Sequence, residues 1–175
     1  MYKILFRFLS SLLLATLVIA AKPAVCQQIA VQSSHFYVVT NDGVSIHVHR
    51  KIGANPAKTP VLLVHGTWCD GRIWDFPGRS VMDYLAARGY DVYALDLRGM
   101  GSSDHPTDYS SIDIVSRVQD VAAVAAYIVA NAGQAPVVVG WSQGGVITAM
   151  LAASAPQLVA GVVKSTMRTA GDALD

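Results

Sequence analysis

A single serine stands between glycines in the stretch GWSQGG, residues 140–145, which follows the apolar run PVVV and precedes the apolar run VITAMLAASA. A serine hydroxyl can act as a nucleophile when a sharp turn between a strand and a helix exposes it. Gly140 and Gly144 permit such a turn because they have no side chain that would clash where the backbone reverses. The following helix would offer unpaired N–H groups and the positive end of its dipole to a developing negative charge. The spacing therefore predicts that Ser142 is a nucleophile.

Two other segments with polar or glycine residues also follow apolar runs. The segment HGTW (65–68) comes directly after VLLV (61–64), and DLRGMG (96–101) continues from the run YDVYALD (90–96). Reacting groups in a parallel α/β sheet are expected at the carboxyl ends of its strands. We therefore expect these two segments to lie beside the turn that carries Ser142.

The elements that must position these segments alternate between strand and helix. The stretch at 35–50 alternates apolar and polar residues around Asn41-Asp42-Gly43, which predicts an antiparallel hairpin with a tight turn. Ser110 and Asp113 resemble a capping box. The alternation predicts the α/β class, with a mostly parallel sheet opened by an antiparallel hairpin and helices on both faces. The later strands are predicted at 61–64, 90–96, 136–141 and 158–163. Helices are predicted at 81–88, from 114 to an end at Asn131-Ala132-Gly133, and at 145–155.

The three segments together resemble the first half of a serine hydrolase of the α/β-hydrolase superfamily, over about residues 35–165. The resemblance implies that the backbone N–H groups of Gln143 and Thr67 form an oxyanion hole. It also implies that Trp68 and Trp141 bind substrate as an apolar wall for an acyl chain. Packing of Trp141 beneath the turn is an equally good interpretation of that residue.

The same resemblance gives structural roles to three polar residues near the predicted site. It implies that His65 supports the oxyanion loop from within and is not the proton acceptor. Asp96 and Arg98 are expected to hold the loop that follows their strand. These residues are therefore expected to shape the site without reacting.

The catalytic partners of Ser142 do not follow it in the sequence. In this superfamily the nucleophile is followed along the chain by an acid and then by a histidine. No histidine occurs after Ser142, and the only later acids are Asp172 and Asp175, of which Asp172 is conceivable as the triad acid. The sequence thus predicts a partial hydrolase domain over 27–175, a fragment without the catalytic acid and histidine portion. We expect this chain to be poorly active, because a general base is what activates a serine.

The resemblance implies a serine hydrolase that acts on a small-molecule ester or lipid. Two alternatives stay open, because a fold does not fix a reaction. One is a non-catalytic relative that uses the fold for binding. The other is an enzyme of the same fold with other chemistry, such as acyl transfer, C–C hydrolysis or cofactor-free haloperoxidation.

The first 26 residues have the pattern of an export signal. Lys3 and Arg7 precede an apolar stretch at 9–21, and Ala24-Val25-Cys26 is a small-x-small cleavage pattern. The sequence therefore predicts a cleaved signal peptide at 1–26 and a secreted or periplasmic protein. An uncleaved membrane anchor is the alternative, although the apolar run is shorter than the roughly 20 residues that cross a bilayer.

Charge and composition exclude several classes of partner. Removal of Lys3, Arg7 and Lys22 would leave ten basic residues against twelve aspartates, with no glutamate, so no basic surface for nucleic acid is expected. Gly99 and Gly101 could begin a dinucleotide fingerprint, but the third glycine position is Asp104, and no cofactor is predicted.

Cysteine and histidine usage predicts neither a disulfide nor a metal site. Cleavage after Cys26 would leave Cys69 as the single cysteine, so no intrachain disulfide could form. His47 and His49 share one face of a predicted strand and could chelate a metal, but no third ligand is expected nearby. We therefore interpret them as solvated histidines and predict no metal.

Overall fold

The computed structural model describes residues 30–165. The predicted signal peptide with Cys26, and the late acids Asp172 and Asp175, lie outside the described residues. Six strands and three α-helices make up the described part: β1 (Gln32–Val39), β2 (Ser45–Ile52), β3 (Val61–Val64), α1 (Val81–Ala86), β4 (Asp91–Leu95), α2 (Ile114–Ala132), β5 (Val137–Trp141), α3 (Gln143–Ser154) and β6 (Gly161–Ser165).

The six strands form one sheet in the order β1-β2-β4-β3-β5-β6. The β1–β2 hairpin and the β2–β4 pair are antiparallel, whereas the β4–β3, β3–β5 and β5–β6 pairs are parallel. The hairpin turns where the Asn-Asp-Gly signal predicts, with Gly43 at a φ of 85°. The predicted fold class, a mostly parallel sheet opened by an antiparallel hairpin, is confirmed.

Helices cover both faces of the sheet, so the central strands are apolar on both sides. Leu62 and Val64 face a core that includes Ile128 of α2 and Ile147 of α3. The alternate residues of β3 face a second core, where Met82 and Ala86 of α1 pack. This two-sided burial explains why the central strands read as continuous apolar runs.

The long helix α2 has the length and composition of a membrane span. Its apolar stripe includes Val121, Val124 and Ile128, all fully buried in the core against the sheet. It also carries Asp120, a buried charged residue that pairs with Arg98. We therefore interpret α2 as a core helix.

Several element boundaries differ from those predicted. The last strand begins at Gly161, because Pro156–Leu158 forms a 3-10 turn that delays it. The capping box of α2 is formed by Asp113 and Ser116, not by Ser110 and Asp113. Ser110 lies instead in a preceding 3-10 turn, where Asp108 accepts a hydrogen bond from its N–H.

Candidate active site

Ser142 lies between β5 and α3 in a backbone conformation that side chains rarely adopt. Its φ is 55° and its ψ is −122°. Its N–H donates to the carbonyl of Ser165 at 2.8 Å, and its own carbonyl accepts from the N–H of Gly145 at 2.9 Å. A residue with such dihedrals stores about 1–3 kcal/mol and persists only where its surroundings enforce it. Within residues 30–165, Trp68 is the only other non-glycine residue with positive φ.

The two glycines that flank Ser142 are required by close backbone approaches. A Cβ on Gly140 would stand 2.6 Å from the nitrogen of Gly145, and one on Gly144 would stand 2.6 Å from the carbonyl oxygen of His65. The first turn of α3 therefore rests directly on the ends of β3 and β5. This contact brings the segment after β3 beside the turn.

The loop that carries Thr67 touches the turn. A Cβ on Gly66 would lie 2.9 Å from the Trp141 ring and 3.1 Å from the Cβ of Ser142. Trp141 is half-buried and packs beneath this loop, whereas Trp68 is 87% exposed. Trp68 borders a cavity of about 380 Å³ together with Met100, Tyr109 and Arg117, among other residues.

His65 is fully buried, and both of its ring nitrogens are engaged. Its Nδ1 lies 2.7 Å from the Gly66 carbonyl oxygen, and its Nε2 accepts from the N–H of Leu97 at 3.0 Å. These partners require the neutral tautomer protonated on Nδ1. Burial lowers the pKa of His65, which keeps the ring neutral. The ring thus ties the segment after β3 to the segment after β4, and its geometry matches the supporting role that the resemblance implies.

Asp96 organises the loops after β3 and β4. Its carboxylate accepts hydrogen bonds from the N–H of Gly71 at 2.6 Å and from the N–H of Ser102 at 2.9 Å. Burial raises the pKa of Asp96, but contacts from His49 and His47 together with these two N–H groups hold it well below its usual value. The carboxylate is therefore ionised and structural.

Arg98 connects the same loop to two other elements. Its Nε donates to Asp120 of α2 at 2.8 Å, and its Nη1 donates to Asp42 in the hairpin turn at 2.7 Å. Arg98 and Asp120 are buried, so each charge depends on the other for compensation. Arg98 and Asp96 thus both hold the loop that follows β4, as expected.

A model of the Alpha/beta hydrolase family matches residues 61–170 of this chain. The chain belongs to the alpha/beta hydrolase family. It is 29% identical to the pimeloyl-[acyl-carrier protein] methyl ester esterase of Edwardsiella ictaluri over 106 residues, which are 61% of this chain and 35% of the relative. It is 36% identical to epoxide hydrolase 3 of Siraitia grosvenorii over 87 residues, 48% of this chain and 25% of the relative.

Solved structures have the same fold. The thioesterase domain from the curacin biosynthetic pathway superposes with a TM-score of 0.64 at 25% identity, over 76% of this chain and 46% of that one. An alpha/beta hydrolase from Novosphingobium aromaticivorans gives a TM-score of 0.63 at 26% identity, over 75% and 43% of the two chains. This chain spans about a third of the length of the first curated relatives that it matches.

Within residues 30–165, no histidine is hydrogen-bonded to Ser142. All five histidines fall within the described residues, and within residues 30–165 no side chain forms a hydrogen bond with the Ser142 hydroxyl. Arg117 contacts the turn, because its Nη1 donates to the side chain of Gln143 at 2.6 Å. The sequence carried no signal for this contact, since the two residues lie 26 positions apart on different helices.

The chain also contains a group of three histidines that the sequence interpretation missed. His35 on β1 lies directly opposite His49 on β2, and His47 is on the same face. The expectation that no third ligand lies near His47 and His49 is therefore wrong. His47 is buried rather than solvated, because β2 lies inside the sheet between β1 and β4. The register of the hairpin, counted from its turn, was the signal that could have revealed His35.

Proposed function

We propose that this hydrolase cleaves carboxylic esters, with Ser142 as the nucleophile and the N–H groups of Thr67 and Gln143 as the oxyanion hole. The observation that carries the proposal is the strained backbone of Ser142 at the junction of β5 and α3. Strain of this kind at a polar residue supports a catalytic role, because folding alone would select glycine there. The contact of the Thr67 loop with the turn supports the assignment of the second donor.

In the proposed reaction, Ser142 Oγ attacks the ester carbonyl carbon while its proton passes to a base. The carbonyl oxygen becomes an oxyanion that accepts hydrogen bonds from the two N–H groups. The intermediate then expels the alcohol, which takes up the proton, and leaves an acyl ester on Ser142. Water attacks this ester, releases the acid and restores the hydroxyl.

The side chain of Ser142 favours esters over the epoxides named for some relatives. Attack of a serine hydroxyl on an epoxide carbon would form an ether, which water does not cleave, so the protein would be consumed after one event. Attack on an ester forms an acyl ester, which water can hydrolyse. Relatives named as a methyl ester esterase and a thioesterase, whose names denote acyl carbonyl substrates, support this choice.

We expect ester hydrolysis by this chain alone to be slow. A serine hydroxyl is a weak nucleophile without a base, and in the described residues no histidine is hydrogen-bonded to Ser142. Added imidazole could supply this missing function from solution. Chemical rescue therefore offers a direct test of which residue is the nucleophile.

The experiment treats the purified chain with a fluorophosphonate, with and without imidazole, and locates the adduct by peptide mass spectrometry. We expect slow modification at Ser142, faster modification with imidazole, and none at this position in Ser142→Ala. Ser154→Ala is the matched control, because Ser154 lies at the other end of the same helix. An adduct at another residue would contradict the assignment of Ser142 as the nucleophile. No adduct in the wild type, even with imidazole, would favour a non-catalytic binding protein.

Fast labelling of Ser142 without imidazole would show that a base is already present, against the expected poor activity. If Ser142 is labelled, product analysis with an ester substrate and added alcohols distinguishes hydrolysis from acyl transfer. Free acid as the main product is the expected result.

We also propose that the protein is secreted or periplasmic after removal of residues 1–26. The basic start, the short apolar stretch and the small-x-small pattern support this location. Fractionation of a bacterial host with N-terminal analysis tests it, and a mature chain that begins at Gln27 is expected. An intact N-terminus in the membrane fraction would favour the anchor instead.

A further inference from the structure

We propose that His35, His47 and His49 form a binding site for one divalent transition-metal ion, with Zn²⁺ as the probe. Each histidine offers one ring nitrogen, and these three atoms lie within 4.8 Å of one another. Imidazole nitrogen is a ligand that Zn²⁺, Cu²⁺ and Ni²⁺ all accept. The site lies on the β1–β2 hairpin, apart from Ser142, and the inference does not depend on the proposed esterase activity.

The hairpin register brings the three side chains together. His35 and His49 are direct partners across the β1–β2 pair, and His47 precedes His49 by two residues on the same face. The ring of His49 lies 4.8 Å from that of His35 and 4.4 Å from that of His47, both edge to face. Zinc–nitrogen distances of about 2.0–2.1 Å in a tetrahedron separate the nitrogens by about 3.3 Å, so small ring rotations must close the site.

The Asp96 carboxylate contacts the His47 ring and orients it. Its Oδ2 lies 3.0 Å from Nδ1 of His47. A proton on that nitrogen leaves the lone pair of Nε2 free for a metal, in the carboxylate–histidine–metal arrangement common in metalloproteins. The ionised Asp96 also supplies a negative charge that favours a bound cation.

One ring nitrogen of His49 is buried beside the Asp96 carboxylate. This Nε2 lies 3.6 Å from Oδ1 of Asp96, beyond hydrogen-bond distance, and has no hydrogen-bond partner in the described part of the chain. A buried polar atom without a hydrogen bond is unfavourable, so a partner for this ring nitrogen would be stabilising. This orphaned nitrogen is a second observation that points to a ligand.

The third ligand is accessible. His35 is exposed on the edge strand β1, directly opposite His49. Neutral imidazole is the form of histidine that binds metals. His35 and His49 border a cavity of about 630 Å³, which also contains Cys69 and leaves room for a water molecule as a further ligand.

A bound ion would connect the edge strand to the loops near the candidate active site. His35 lies on β1, whereas Asp96 holds the N–H groups of Gly71 and Ser102 after β3 and β4. An ion that binds His35 and His47 would thus link β1 to these loops through Asp96. We infer that the ion stabilises the fold. A metal that binds the folded state and not the unfolded state raises the free energy of unfolding by mass action.

The experiment titrates Zn²⁺ into the full chain, purified without a polyhistidine tag, by calorimetry. We expect one ion per chain, and an affinity at least about 100-fold weaker in His35→Gln, because loss of a mere supporting contact already costs 10–100-fold. At a free zinc concentration of 100 times Kd, Tm should rise by about 5–10 °C. His105→Gln is the matched control, since His105 is an exposed histidine outside the cluster, and it should bind zinc like the wild type.

A measurement on the wild type avoids dependence on the folding of any variant. In protein with ¹⁵N-labelled histidine, zinc should shift the imidazole signals of three of the five histidines and leave His65 and His105 unchanged. Equal affinities in His35→Gln and the wild type would overturn the proposal. So would shifts confined to His105, or no saturable shift at all.

Discussion

At the scale of single residues, the proposed function depends most on the strained backbone of Ser142. Ser142 has a φ of 55°, and Trp68, one residue after the proposed donor Thr67, has a φ of 59°. Both strained positions therefore adjoin the same candidate site. Such strain is maintained by the surrounding packing and commonly reduces stability for the benefit of function.

We expect Ser142→Gly to stabilise the chain. Glycine removes the side-chain strain of about 1–3 kcal/mol and adds about 0.5–1 kcal/mol of unfolded-state entropy, so the net gain is roughly 1 kcal/mol. Urea unfolding measures the free energy of unfolding. Ser154→Gly, at the carboxyl end of the same helix, should instead destabilise by up to about 0.5 kcal/mol, because glycine is a poorer helix former than serine. A loss of stability in Ser142→Gly would show that the turn is not strained.

At the scale of elements, the site depends on how closely α3 approaches the sheet. Gly140 and Gly144 are the points of approach, and neither has room for a Cβ beside the neighbouring backbone. Backbone atoms cannot rotate away as a flexible side chain can. Any side chain at these positions must therefore displace the helix and the Ser142 turn together.

Gly140→Ala is expected to lower the free energy of unfolding by about 1–3 kcal/mol or more, as overpacking does. Gly161→Ala on the adjacent strand β6 is the matched control, because its Cβ would lie 3.9 Å from Val137 in ordinary contact. That control should stay within about 0.5 kcal/mol of the wild type. Equal losses in both variants would point to a general effect of alanine in these strands.

The hairpin turn is held to the loop after β4 by a charge pair with a defined pH dependence. Hydrogen bonds from Arg98 and from Thr40 lower the pKa of Asp42 from 3.8 to about 2. A carboxyl whose folded-state pKa is depressed stabilises the fold above its unfolded pKa. This contribution disappears as the pH falls from about 4 to about 2. Because Asp42 is 45% exposed, we expect at most about 1 kcal/mol from it.

Comparison of the wild type with Asp42→Asn tests this contribution. The difference in free energy of unfolding should be greatest near pH 6, fall steeply between pH 4 and pH 2, and vanish below about pH 2. Added salt should reduce it, since the pair is partly exposed. A difference that persists unchanged at pH 2 would mean that Asp42 acts by packing or by its neutral hydrogen bonds.

At the scale of the whole molecule, the sequence predicted the elements that depend on local residue pattern. It did not predict the contacts between residues that are distant along the chain. The Asn-Asp-Gly hairpin and the buried strand VLLV could be predicted, because a tight turn and burial on both faces each require particular residue types at adjacent positions. The meeting of His35 with His49, and of Arg117 with Gln143, depends on residues distant in the chain. The start of β6 at Gly161 was missed because a 3-10 turn is nearly invisible in apolar periodicity.

The stability of the mature chain should be independent of redox conditions. Cys69 is the single cysteine of the described residues and is a free thiol, and the proposed cleavage would remove Cys26. The two-sided core, rather than a disulfide, must then hold the fold of a protein proposed to be exported. We expect one titratable thiol per mature chain, two in the uncleaved precursor, and an unchanged Tm when a reductant is added. A reductant that lowers Tm would reveal a disulfide. A disulfide that contains Cys26 would argue against cleavage after residue 26. A disulfide between two mature chains would argue against a monomer held together by its core alone.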